Sequence, residues 1–80
     1  MMEKDLRQAV ALLARGDWKA AHAIVQDDED SRLSCWAHGI VHRMEGDAAN
    51  ARYWYRRAGR VFRGDVSIEA EIAALGAELS

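Results

Sequence analysis

Apolar residues recur along this chain at intervals of three and four, and the β-branched residues never form an alternating run. That periodicity belongs to helices rather than strands. Leu6, Val10 and Leu13 sit at core spacing in a first helix from about Glu3 to Arg15, and Gly16 supplies its stop. Asp17 caps a second helix, Trp18 to about Gln26. The run Asp27-Asp28-Glu29-Asp30 makes a turn whose acids suit the positive start of a third helix, about Ser31 to Glu45. Gly46 ends it, and Asp47 caps a fourth helix that runs to about Gly59 or beyond, closed by Gly64-Asp65. Asp65 or Ser67 then caps a fifth helix reaching Leu79.

The Gly-Asp pairs at 16–17 and 46–47 stand thirty positions apart, and a third pair follows at 64–65. A helix stop followed at once by a helix start makes a hairpin, and a thirty-residue period predicts a repeated one. The expected fold is therefore all-α: one domain, 1–80, of about five short antiparallel helices. Hairpins over about 3–27 and 31–60 precede a capping helix over about 66–79. Gly39, Gly46-Asp47, Ala51, Tyr55 and Ala58 fall at the small and aromatic positions of a tetratricopeptide repeat, which the second unit resembles. The run Ala51-x-x-Trp54-Tyr55-x-x-Ala58 also resembles the related Sel1-type repeat, and the block from Trp36 to Arg60 resembles small bacterial proteins. The first unit matches at Gly16-Asp17-Trp18 and Ala21 but has no aromatic where Tyr55 stands in the second. The resemblance implies a groove that binds a protein or peptide. Two units and a cap fall short of the roughly three repeats an array needs. The alternatives are a compact bundle or a core completed by a partner, including a second copy of the chain.

Composition narrows the class. Half the residues are apolar and 30% charged, a globular balance. There is no proline, and the single cysteine, Cys35, excludes an internal disulfide and suits a reducing compartment. Met1-Met2-Glu3-Lys4-Asp5 does not read as the start of a signal peptide, and no apolar run approaches the roughly 20 residues of a membrane span. The expected location is cytoplasmic. The net charge of −2 conceals an asymmetry. Residues 1–31 carry four Lys/Arg against seven Asp/Glu, residues 32–63 seven arginines against Glu45 and Asp47, and residues 64–80 four acids and no base.

On a helical wheel the fourth helix divides cleanly. Ala48, Ala51, Trp54, Tyr55, Ala58 and Phe62 make an apolar face, while Arg52, Arg56, Arg60 and Arg63 line the other with Tyr53 and Arg57 beside them. The plain reading of that stripe is a solvated basic face. Its functional reading is a surface for acidic groups, since guanidinium forks match carboxylates and phosphates. Pairing with Asp27–Asp30 or with the acidic C-terminal helix is the third reading. Tyr53 among arginines has the look of a base-stacking platform, but the domain is acidic overall and carries no nucleic-acid motif.

The third helix places Cys35, His38 and His42 at i, i+3 and i+7, and thiolate and imidazole are ligands zinc prefers. Seven residues rise about 10.5 Å, too far for both ends to share one ion. His38 and His42 can share one if His22 or Glu45 contributes. The spacing lacks the acid of HExxH, its second position being Gly39. The plainer reading has Gly39 permitting close helix packing with the histidines flanking it; a pH-sensitive contact is the third. Cys35 has no evident base with an orienting acid, and no glycine loop binds phosphate, so no catalytic residue and no cofactor is expected. The resulting expectation is a non-catalytic protein- or peptide-interaction module, with Arg52, Tyr53, Arg56, Arg57 and Arg60 receiving an acidic partner. The alternative is a small metal-binding or catalytic helical domain using His22, His38 and His42.

Overall fold

A computed structural model describes residues 3–80. Five helices stand among the described residues: α1 (Glu3–Ala14), α2 (Trp18–Val25), α3 (Arg32–Glu45), α4 (Ala48–Arg57) and α5 (Ile68–Leu79). The two Gly-Asp turns share one geometry. Gly16 donates to Leu13 O and Asp17 to Leu12 O; thirty residues on, Gly46 donates to Arg43 O and Asp47 to His42 O. This double bond closes a helix through a residue in the left-handed region, where Gly16 (φ 83°) and Gly46 (φ 91°) sit without a Cβ penalty. The aspartates then start the next helix: Asp17 Oδ1 accepts from Ala20 N and Asp47 Oδ1 from Asn50 N. Ser31 and Ser67 do the same for α3 and α5.

The fourth helix is shorter than its apolar pattern predicts. Gly59 (φ 73°) repeats the same closure, donating to Arg56 O while Arg60 N donates to Tyr55 O. Gly59 therefore ends α4, not Gly64-Asp65, which lies in an irregular segment before Ser67. Arg43 reaches into that segment and donates to Val66 O at 2.7 Å. Phe62 packs edge-on against Tyr55.

Helix α3 is central. Every residue from Ser34 to Val41 is buried, and α1, α2, α4 and α5 all pack against it. A helix covered on all sides needs small residues where a neighbour comes closest, and Gly39 fills that role beneath the Tyr55 ring of α4. Leu6, Ala9 and Leu13 of α1, Ala21 and Val25 of α2, and Leu75 and Leu79 of α5 complete the core. The Trp36 indole donates to Glu71 Oε1 at 3.1 Å, joining α3 to α5. Arg7 of α1 donates to the Leu79 carbonyl at the end of α5. The chain is thus a closed bundle whose fifth helix lies on α1 and α3, with extents of 28 × 24 × 22 Å. No helix among the described residues is long and apolar enough to cross a membrane.

Candidate functional site

Where α2, α3 and α4 meet, three histidines converge. His22 follows the buried Ala21 on α2, and His38 and His42 project from successive turns of α3. One ring nitrogen from each lies within 4.8 Å of the others. The ring centroids are 4.8 Å (His22–His38), 5.0 Å (His38–His42) and 5.6 Å (His22–His42) apart. Residues four apart on a helix are surface neighbours, which accounts for the α3 pair; the packing of α2 on α3 brings the third.

His38 is 4% exposed, and its Nδ1 is buried with no hydrogen-bond partner. Burial lowers its pKa to about 4, with His42 and then His22 adding to the effect. At neutral pH the ring therefore keeps its lone pair, the form a metal needs. Trp54 of α4 lies flat against it, centroids 3.9 Å apart and planes 8° apart. His42 is held from another direction: its Nδ1 is 2.8 Å from Glu45 Oε1. His42, Glu45 and Asp47 form a second, overlapping group of ligand atoms. Asp47 is committed to its cap, however, accepting from both Asn50 N and Asn50 Nδ2.

Cys35 is not part of this cluster. It is buried, its thiol donates to Glu29 O at 3.4 Å, and burial, helped by Asp28 and Glu29 against the pull of Arg57, pushes its pKa up. A thiol so placed is a poor nucleophile and a poor ligand.

The arginines of the α4 segment do not form one stripe. Because Gly59 turns the chain, Arg60 leaves the helix face and stacks over the Trp36 ring at 3.5 Å. Arg63 joins Arg60, Val66 and Glu71 around a separate groove of about 250 Å³. Arg57 donates to Tyr53 Oη at 3.2 Å and to Glu29 O at 2.9 Å, and pairs with the Glu29 carboxylate at 3.4 Å. Arg52 lies over Phe62 at 5.1 Å. Arg56 has no side-chain partner among the described residues, and Tyr53 is 44% exposed beside it. Two features of the histidine site were not anticipated from sequence. The Trp54–His38 stack had no local signal, since it joins different helices. The His42–Glu45 bond did, as an i, i+3 pair on a helix end.

No family model, no curated protein and no solved structure matches this chain.

Proposed function

We propose that this protein is a small non-catalytic helical module that holds a divalent transition-metal ion between His22, His38 and His42. The observation that supports it most is the convergence of three imidazole nitrogens, from two helices, within 4.8 Å of one another. The buried, unpartnered Nδ1 of His38 adds to it, because an orphaned buried polar atom costs about 1–3 kcal/mol unless something satisfies it. Three neutral nitrogen donors favour Zn²⁺, Cu²⁺ or Ni²⁺ over Mg²⁺ or Ca²⁺, which prefer oxygen. Metal–nitrogen bonds of about 2.0–2.1 Å place tetrahedral ligands roughly 3.3 Å apart, so nitrogens within 4.8 Å of one another need close by no more than about 1.5 Å, a side-chain rotation.

Protein purified without a histidine tag tests this. Titrated with Zn²⁺ against a chromophoric chelator, it should take up one ion per chain and melt at a higher temperature when loaded. His22→Ala and His42→Ala, at positions less buried than His38, should each lose that uptake while staying folded. A wild-type protein that neither competes for Zn²⁺ nor changes its melting temperature refutes the reading.

A second reading keeps the module as a protein- or peptide-binding domain for acidic partners. The exposed Tyr53 beside Arg56, which has no side-chain partner among the described residues, supports it, with Arg52 one turn away. Partner binding should then weaken with salt and with Arg56→Glu. Insensitivity to both removes the arginines from the reading.

A further inference from the structure

The bond between His42 and Glu45 determines which nitrogen His42 can offer a metal. An ionised carboxylate only accepts hydrogen bonds, so the nitrogen facing it must carry a proton. At 2.8 Å from Glu45 Oε1, that nitrogen is Nδ1. In a neutral imidazole with Nδ1 protonated, the only lone pair left is on Nε2. Nε2 is therefore the atom through which His42 would reach an ion shared with His22 and His38. Glu45 is well placed to enforce this. It is the last residue of α3, three residues from His42 and on the same side of the helix. The His42 side chain is 12% exposed and that of Glu45 39%, so the bond lies at the rim of the cluster with its imidazole end largely covered. Asp47, the other carboxylate within reach, is already engaged by Asn50.

We propose that Glu45 is the positioning residue of the metal site: it holds His42 as the Nδ1–H tautomer and presents Nε2 to the ion. This rests on the metal-binding reading above. Carboxylate–imidazole–metal relays orient the ring and raise its donor strength, and removing the outer partner typically weakens metal binding about 10–100-fold.

Two measurements separate this proposal from the one it rests on. In the metal-free protein at alkaline pH, imidazole ¹⁵N shifts should report His42 as the Nδ1–H tautomer in wild type and a shift toward Nε2–H in Glu45→Ala. That readout needs no metal. A wild-type His42 found as Nε2–H overturns the positioning role whatever the metal result. In Zn²⁺ competition, Glu45→Ala should bind about 10–100-fold more weakly than wild type. Glu45→Gln, whose amide oxygen still accepts from Nδ1–H, should recover part of that loss. Equal losses in the two variants would mean that Glu45 acts only as a nearby negative charge, and an unchanged affinity in Glu45→Ala would mean that it does not act at all. Either result overturns the proposal while leaving the three-histidine site standing. Failure of wild type to bind Zn²⁺ instead removes the metal site, and the tautomer shifts still decide what Glu45 does to His42.

Discussion

Replacing Gly39 by alanine tests the close approach of α3 and α4 that frames the histidine site. A Cβ at this position would lie 2.7 Å from Tyr55 Cε1, nearer still to Cδ1, and 3.4 Å from Ala51 O. Ordinary carbon–carbon contact is about 3.5–4.0 Å, so the ring and the added methyl must separate by roughly 1 Å. Tyr55 cannot simply swing away, being 1% exposed with Phe62 packed edge-on against it. The helices must part, and overpacking of this kind costs about 1–3 kcal/mol or more. Against it stands the gain of about 1 kcal/mol that alanine brings to a helix interior. A clash near the top of its range leaves a net loss of about 2 kcal/mol. For a domain of this size that lowers the melting temperature by roughly 8–16 °C. Urea and thermal denaturation followed by circular dichroism measure the loss. In a Tyr55→Leu background the same change should cost far less, giving a clear coupling energy. The parting of the helices also draws Trp54 off the His38 ring, so loaded Gly39→Ala should bind Zn²⁺ more weakly than wild type. A Gly39→Ala protein as stable as wild type, or stabler by the helix-propensity gain, would refute the packing account.

Three further outcomes follow from the same geometry. His38 has a pKa of about 4 in the fold against an ordinary value of 6.5, so between those values the unfolded chain takes up a proton that the fold refuses. The metal-free protein should keep this contribution above pH 6.5 and lose about 3 kcal/mol as pH falls to about 4; denaturation across that range shows it, and His38→Gln should flatten that part of the curve. Ser31→Ala removes the hydroxyl that caps α3 and should cost about 1 kcal/mol, whereas Ser31→Gly should cost only a few tenths, both by urea denaturation. Cys35 is buried with a raised pKa, so an aromatic disulfide reagent should label it far more slowly in the native protein than in denaturant; equal rates would show an accessible thiolate.

Local chemistry made the helices legible. Gly16-Asp17 and Gly46-Asp47 read as stops and starts because a left-handed glycine and a capping carboxylate act within four residues of themselves, and the structure repeats that closure in both turns. Gly59 was just as local a stop. Extending the helical wheel past it placed Arg60 and Arg63 in a stripe that the turn dissolves. Periodicity also placed His38 and His42 on one face of α3. It could not say which neighbour that face would meet. Whether His22 approaches them, whether Trp54 covers His38, and whether α3 becomes the enclosed centre of the bundle are matters of packing between segments far apart in sequence. An amphipathic pattern determines that a face is buried, not what is buried against it. Periodicity and capping chemistry thus specify an all-α chain, its turns and its candidate ligands. Packing between helices brought three imidazoles to one point and left the arginines apart, because the shape of the whole core decides which faces meet.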